Sequence, residues 1–211
     1  MRLTVDPHPL LADLLCRIRD VNTPPSTFAA LVDRAATLLL VRATADIPVV
    51  PVDLRTPLAE ARGERLAQDP LLVPILRAGL GMLAAANRML PESAVAFVGL
   101  RRDERTAEPS WYLDALPDSL ADTPVLILEP MIATGGTLGD VITRISELGA
   151  PTVTVLSLIC APEGIEALRR STAGLACEVH VIVAASDPGL DSNNFISPGL
   201  GDAGDRLFGA G

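Results

Sequence analysis

The sequence predicts an α/β fold in which helices flank a mostly parallel sheet. Aliphatic runs of strand length alternate along the chain with segments whose apolar residues recur every three to four positions, which is the pattern of βαβ units. In addition, 49% of the 211 residues are hydrophobic and only 3% are aromatic. This suits aliphatic strands buried between helices better than an aromatic-rich β-sandwich. The length and the lack of a long linker favour a single domain over residues 1–211.

Two helices are expected ahead of the sheet, at residues 10–20 and 26–44, with Ser26 as an N-cap after two prolines. Residues 47–58 are polar and rich in proline, and short extended pieces are expected there. The strands of the sheet are expected at residues 71–76, 94–100, 124–129, 152–161 and 178–186. Helical patterns follow the first, third and fourth of these strands, so the strands are expected to run parallel.

Composition narrows the classes of function. The formal charge of −9 and the pI near 4.7 argue against a broad nucleic-acid-binding face, which needs a basic patch. The chain contains no lysine, so a Walker A phosphate loop is excluded and bound phosphate must be held by amides, hydroxyls, metal or arginine. No apolar stretch approaches the ~20 residues of a membrane span, and the first residues form no secretory signal. A cytoplasmic protein without a membrane partner is expected.

Polar residues follow the predicted strands, at the sheet edge where parallel α/β proteins bind their ligands. Arg77 comes directly after the first core strand and is followed by Gly79 and Gly81. The two glycines are expected to let the backbone approach a ligand closely, and the planar guanidinium of Arg77 to hold phosphate oxygens. The alternative is a surface arginine beside a helix start.

The segment from Glu129 to Thr137 has the composition of a phosphate loop. Small residues leave its amides free to face an anion, two threonines add hydroxyl donors, and a helix is predicted to begin near its end. These residues are Ala133, Gly135, Gly136, Thr134 and Thr137. Because a carboxylate that faced the phosphate would repel it, Glu129 is expected to accept hydrogen bonds from sugar hydroxyls or to hold a metal through water. A phosphate with a ribose attached fits this pattern better than free phosphate.

Two further segments are candidates for the site. Residues 101–118 form a charged excursion, which is expected to be an arm or lid that brings Arg101 and Arg102 within reach of an anion. Near the C-terminus, glycines interleave with Asp202 and Asp205. This segment, residues 195–209, is expected to remain a loop rather than a helix. Its backbone donors and acceptors would then read a small planar heterocycle.

Taken together, stretches of these segments resemble one family. They are "VPILRAGLGM", "GLRRDERTAEPSWY", "EPMIATGGT", "APEGI" and "FISPGLGDAGDRLFG". In this combination the chain resembles the uracil phosphoribosyltransferase family over nearly its whole length. The resemblance implies a phosphoribosyltransferase-like fold. It also implies transfer of a phosphoribosyl group from phosphoribosyl pyrophosphate (PRPP) to N1 of uracil, which gives UMP and pyrophosphate in pyrimidine salvage.

The resemblance also assigns roles to residues. The expected catalytic residues are Arg77 and Arg102, which match the arginines that hold pyrophosphate, and Asp202. The residues expected to bind PRPP are Arg77, Arg102, Glu129, Pro130, Met131, Ile132, Ala133, Thr134, Gly135, Gly136, Thr137 and Asp202. Uracil is expected in the loop of residues 195–206, read largely through the main chain at Ile196, Gly201, Asp202 and Ala203. Mg²⁺ is the expected cofactor, bound mainly through PRPP and water, with no protein metal site. A homodimer or larger assembly is implied, and a GTP-type allosteric effector is allowed.

The sequence departs from the family pattern at several positions. Glutamate replaces aspartate at position 129, and phenylalanine replaces tyrosine at position 195. Arginine stands at positions 42, 101 and 105, where the family has other residues. These departures leave two alternatives to an active uracil enzyme. One is a paralogue that binds PRPP or nucleotide as a sensor without turnover, and the other is a phosphoribosyltransferase for another base.

Overall fold

The computed structural model describes residues 1–102 and 109–209, and at Arg102 and Pro109 the backbone alone. The strands in this part of the chain are β1 (Arg2–Val5), β2 (Val49–Arg55), β3 (Glu60–Leu66), β4 (Leu71–Leu76), β5 (Val98–Arg102), β6 (Pro109–Asp114), β7 (Val125–Leu128), β8 (Met131–Ile132), β9 (Thr152–Cys160), β10 (Glu178–Ser186), β11 (Gly189–Leu190) and β12 (Ile196–Ser197). The helices are α1 (Pro9–Arg19), α2 (Pro25–Ala43), α3 (Leu80–Met89), α4 (Gly136–Glu147), α5 (Pro162–Ser171) and α6 (Ala203–Phe208).

The main sheet has the strand order β1-β10-β9-β7-β4-β5-β6. All neighbours in it run parallel except the edge strand β6, which pairs antiparallel with β5. The short strand β8 extends the path of β7 along β9 after a break at Glu129 and Pro130. The α/β prediction of a mostly parallel sheet with helices ahead of it is therefore confirmed.

Helices cover both faces of the sheet, because its strands alternate their side chains between two apolar layers. Leu126 and Leu128 pack on one side with residues of α1, α2 and α3, whereas Val125 and Ile127 pack on the other side with residues of α4 and α5. Within residues 1–102 and 109–209, no helix is both long and apolar enough to cross a membrane.

The order of the strands places a crevice between β4 and β7. From β4 the chain continues to β5 on one side, whereas from β7 it continues to β9 on the other side. Adjacent loops that leave such a pair of strands turn in opposite directions, and the gap between them is where open α/β sheets bind ligands. Arg77 follows β4 and Glu129 follows β7, so both lie at this point.

Residues 49–66 form an antiparallel hairpin of β2 and β3 outside the main sheet, which is more regular than the short extended pieces expected there. Thr56 closes its turn, since its backbone N–H and its hydroxyl both donate to the carbonyl of Ala59. The strand β2 leaves Val50 and Leu54 exposed, and the turn leaves Leu58 exposed. An apolar surface of this kind on a two-stranded ribbon is unusual without a partner.

One expectation about an irregular segment needs correction. Residues 203–208 form the helix α6, although the glycine-rich segment was expected to exclude one. Asp202 makes the helix possible, because its side chain accepts the N–H of Asp205 as an N-cap at 2.9 Å, and Gly209 ends it with φ 85°. In the expected arm, residues 109–114 form the edge strand β6, and residues 103–108 lie outside the described part of the chain.

Candidate active site

A cavity of about 340 Å³ opens between the ends of β4 and β7. Its walls come from the loop after β4, the segment after β7 and a turn near the C-terminus. The residues that line it are Ile75, Leu76, Arg77, Ala78, Leu100, Glu129, Met131, Ile132, Ala133, Thr134, Gly135, Gly136, Thr137, Leu138 and Asn194. Most residues expected to bind PRPP thus surround one space.

The phosphate loop ends in the N-terminus of α4. Gly135 is the N-cap residue and has φ 76°, a left-handed conformation that glycine adopts at little cost. No side chain caps the helix, and the first N–H bonded back to the loop is that of Gly139, which donates to the carbonyl of Gly135 at 2.9 Å. The amides of the first turn of α4 have no carbonyl partner further back in the helix and lie at the positive end of the helix dipole, so they can donate to an anion. The helix begins one residue before the predicted position.

Glu129 lies on the floor of the cavity, at the break between β7 and β8. Loss of hydration raises the pKa of its carboxyl group to about 8, although the backbone N–H of Met131 donates to the carboxylate and lowers that pKa in part. A group with this pKa is mostly protonated at neutral pH while the cavity holds no cation. A ligand that donates hydrogen bonds to it favours the ionised form.

Arg77 links the cavity to the C-terminal segment. Its Nη2 atom lies 3.4 Å from Oδ1 of Asp205 in α6, and the pair is about half exposed, so it adds little to stability. The side chain can therefore exchange this carboxylate for an incoming phosphate. The peptide bond between Leu76 and Arg77 is cis.

The glycines after Arg77 have a role in packing. A Cβ atom at Gly79 would lie 2.3 Å from the carbonyl oxygen of Leu128, and one at Gly81 would lie 2.6 Å from the side chain of Leu207. Both glycines therefore allow close packing inside the protein, of the β4 loop on β7 and of α3 on α6. The expected close approach of a ligand to the backbone at these glycines stays a prediction.

The segment expected to bind uracil is anchored by buried charge. Asp187 accepts hydrogen bonds from the guanidinium of Arg19 at 2.7 Å and from the N–H of Gly199 at 2.8 Å. Burial alone would raise the pKa of Asp187, but these bonds and the charge of Arg19 outweigh it and hold the pKa below its usual value. Arg206 adds a second anchor, since it donates to the carbonyl of Leu200 at 2.8 Å and lies 4.1 Å from the ring of Phe28.

Not every expected site residue lines the cavity. Ile196 and Ala203 are buried in the hydrophobic core, whereas Gly201 and Asp202 lie on the exposed part of the same segment. The carbonyl of Pro130 accepts the N–H of Leu158 in β9. The side chain of Arg102 lies outside the described residues, as does Arg105. Of the other departures from the family, Arg42 and Arg101 are exposed, and Phe195 is half exposed.

Asn194 was not among the site residues predicted from the sequence. This residue lines the cavity from the turn between β11 and β12, and its φ of 64° is a left-handed conformation that asparagine tolerates better than most residues. Asp191 holds the turn, because its Oδ1 atom accepts the N–H groups of Asn193 and Phe195. The "DSNN" sequence signals such a turn but not the cavity that the turn reaches.

The cavity fits a divalent cation that arrives with its ligand. Glu129 offers one carboxylate inside it, and Mg²⁺ usually keeps several waters and takes one or two carboxylates beside substrate phosphates. In the described part of the chain, no group of three or more His, Cys, Asp or Glu residues could hold a metal ion. A cation held mainly by phosphate oxygens and water would need few protein ligands, and Glu129 could serve as one of them.

Comparison with known sequences gives consistent matches. A family model described as uracil phosphoribosyltransferase matches residues 5–210. A uracil phosphoribosyltransferase from Kineococcus radiotolerans is 49% identical over 210 residues, which are 99% of this chain and 99% of that protein. One from Streptomyces avermitilis is 47% identical over 211 residues, which are 100% of this chain and 99% of that protein.

Solved structures agree with the fold. A protein from Aquifex aeolicus superposes with a TM-score of 0.90 and 32% identity, covering 99% of this chain and 98% of that one. A hypoxanthine-guanine phosphoribosyltransferase from Bacillus anthracis superposes with a TM-score of 0.51 and 14% identity, covering 77% of this chain and 80% of that one. The second likeness shows only that the two share the phosphoribosyltransferase fold. The family model and the full-length relatives go further: this chain belongs to the uracil phosphoribosyltransferase family.

Proposed function

We propose that the protein transfers a phosphoribosyl group from PRPP to N1 of uracil and releases UMP and pyrophosphate. The observation that carries the proposal is the cavity between β4 and β7, where Arg77, Glu129 and the uncapped N-terminus of α4 face one space. An arginine, a carboxylate and an anion-binding helix end are the groups needed for the three parts of PRPP. The enzyme is then a pentosyltransferase that salvages pyrimidine.

Each part of PRPP has a proposed partner. The 5′-phosphate accepts hydrogen bonds from the amides and hydroxyls between Ala133 and Thr137. The ribose hydroxyls donate to Glu129, and the pyrophosphate binds Arg77 and Arg102. Uracil binds beside the ribose at Ile196, Gly201, Asp202 and Ala203. The anchored C-terminal segment supports this placement, since Arg77 contacts Asp205 within it.

The proposed chemistry depends on charge and position rather than on a nucleophile. As the bond to pyrophosphate breaks, the ribose gains oxocarbenium character and the leaving group gains negative charge. Arg77 holds that charge, and Glu129 orients the ribose. Mg²⁺ bound through PRPP and water would neutralise more of the pyrophosphate charge, and Glu129 is the cavity residue placed to meet its water shell.

The test is to incubate purified protein with PRPP, Mg²⁺ and one base at a time, and to identify the nucleotide by chromatography. We expect UMP from uracil, and neither IMP from hypoxanthine nor AMP from adenine. Faster formation of a purine nucleotide would support the alternative of a different base. PRPP binding without any nucleotide product would support the alternative of a sensor.

The homodimer or larger assembly also remains a proposal, as do a cytoplasmic location and a GTP-type effector. The exposed apolar residues of the β2–β3 hairpin support self-association, because a second copy would remove them from water. The net charge of −9 argues against a nucleic-acid partner.

A further inference from the structure

The first turn of α5 touches the phosphate loop. Gly164 lies so close to this loop that a Cβ atom there would be 2.3 Å from the carbonyl oxygen of Ala133. From the other side, a Cβ atom at Gly135 would be 2.5 Å from the carbonyl oxygen of Gly164. The two glycines thus let backbone pack directly on backbone. Gly164 forms a rigid support under the residues that face the 5′-phosphate.

The same turn holds the segment that leads to the base. Oε1 of Glu163 accepts the backbone N–H of Leu190 at 3.2 Å. Leu190 lies in β11, whose antiparallel partner β12 contains Ile196, and the two residues are directly paired. This hydrogen bond therefore connects α5 to the strand pair β11–β12. Ile196 lies in this pair, and Asn194 lies in the turn that joins its two strands.

We propose that Gly164 and Glu163 are positioning residues with separate effects: Gly164 sets the phosphate loop for PRPP, and Glu163 sets the β11–β12 pair for the base. The inference rests on the proposed function for the identity of the two substrates. Neither residue lines the cavity. They act through the residues they support, and adjacent positions of one helical turn then control different substrates.

Gly164→Ala tests the first half. Its new methyl group must move the carbonyl of Ala133 by roughly 1 Å to reach an ordinary contact distance, and a shift of that size at a positioning group can cost about a hundredfold in rate. We expect the dissociation constant for PRPP, measured by calorimetry, to rise about tenfold or more, with a change of at most about threefold in the KM for uracil. Gly139→Ala is the matched control, because a Cβ atom there would meet the side chain of Ser171 at the α4–α5 contact, 2.8 Å away, and not the loop.

Glu163 has a competing structural role, since an acid in the first turn of a helix also interacts with the helix dipole. Two variants separate the roles. Glu163→Gln loses the charge but keeps an oxygen that can accept the N–H of Leu190, whereas Glu163→Ala loses both. We expect Glu163→Ala to raise the KM for uracil by about fivefold or more with little change in PRPP binding, and Glu163→Gln to restore most of the loss.

Several results would overturn the inference. One is an equal effect of Gly164→Ala and Gly139→Ala on PRPP binding. A second is an equal effect of the two Glu163 variants on the KM for uracil. A third is a similar loss of binding for both substrates in either set of variants. If Gly164→Ala does not fold, the two Glu163 variants decide, because each of them changes only one exposed side chain. Failure of the proposed function would look different, since the unmodified protein would then form no UMP.

Discussion

Glu129 is expected to make ligand binding depend on pH. Its pKa of about 8 lies above its ordinary value of 4.5, so between these values the folded protein holds a proton that the unfolded chain has released. Stability from this group is therefore full below pH 4.5 and is lost as pH rises towards 8. PRPP binding is expected to have the opposite dependence, because an ionised carboxylate accepts hydrogen bonds from ribose hydroxyls more strongly than a protonated carboxyl group does.

We expect the affinity for PRPP to increase from pH 6 to pH 8 and then to level off. The size of the increase depends on how far PRPP binding lowers the pKa of Glu129. Calorimetry at several pH values measures it. PRPP itself also titrates, so Glu129→Gln serves as the reference protein. This variant should bind PRPP more weakly at pH 8. Its affinity should also lack the pH dependence that comes from Glu129. Identical pH profiles for the two proteins would remove the proposed role of Glu129.

Arg77 should contribute mainly to the binding and departure of pyrophosphate. A hydrogen bond to a charged group is worth roughly 1.5–3 kcal/mol, so Arg77→Ala should lower kcat/KM for PRPP about tenfold or more. Arg88→Ala is a close control, since Arg88 is equally exposed at 58% and also pairs with an aspartate, Asp33, but lies in α3 away from the cavity. If steady-state kinetics gave the same result for both variants, Arg77 would be a surface residue.

Asn194 is the cavity residue whose side chain can be removed with the least change in backbone. Because its φ is 64°, Asn194→Gly keeps the turn and deletes only the amide. We expect kcat/KM to fall by about fivefold, as for the loss of one hydrogen bond to substrate. Asn193→Ala, at an exposed position that does not line the cavity, should leave the kinetics unchanged. If Asn193→Ala lowered kcat/KM more than Asn194→Gly does, the conformation of the turn, and not the side-chain amide of Asn194, would be important for activity.

At the scale of elements, strands buried on both faces were predictable and pairings at the edge were not. The strands β4, β7, β9 and β10 appear as aliphatic runs because helices cover both of their faces. By contrast, β1 has four residues and half-exposed side chains, so its sequence lacks such a run. The helix α6 depends on the cap from Asp202, a local signal that the density of glycine concealed.

The candidate site shows the same division between local and distant information. The phosphate loop lies within one continuous segment, so its small residues could be interpreted from their spacing. Asn194 and the contact of Gly164 with Ala133 join residues far apart in the sequence, and only the folded chain brings them together. No pattern along the chain indicates such a contact.

The ion pair of Arg19 and Asp187 is expected to hold the C-terminal segment in place. Asp187→Asn removes the charge from a buried pair, a loss that typically costs about 3–5 kcal/mol, so thermal unfolding should occur at a clearly lower temperature. The KM for uracil should rise more than the KM for PRPP, because Gly199 lies in the segment proposed to bind uracil. Asp33→Asn breaks a more exposed pair with Arg88 and should change the unfolding temperature little. Equal decreases in the unfolding temperature of the two variants would show that the Asp187 pair stabilises the protein no more than an exposed ion pair does.

At the scale of the whole molecule, the hairpin of β2 and β3 has an exposed apolar face that contacts within one chain do not account for. Val50 and Leu54 lie on the same side of β2, since side chains alternate along a strand, and both are exposed together with Leu58, which is 97% exposed at the turn. Their partners across the hairpin on this side, Arg65 and Ala61, do not cover them. A second copy of the chain would bury this face and gain the hydrophobic free energy.

We therefore expect the protein to be a dimer or larger assembly in light scattering at micromolar concentration, and the double variant Val50→Asp, Leu54→Asp to dissociate it. Two buried carboxylates at an interface would each lose hydration without gaining a partner, so the dissociation constant should rise by well over about a hundredfold. Val21→Asp provides the control, because Val21 is an 88% exposed valine outside the hairpin. A monomeric unmodified protein would contradict the expected assembly. An assembly that survives the double variant but not Val21→Asp would place the interface near α1 instead.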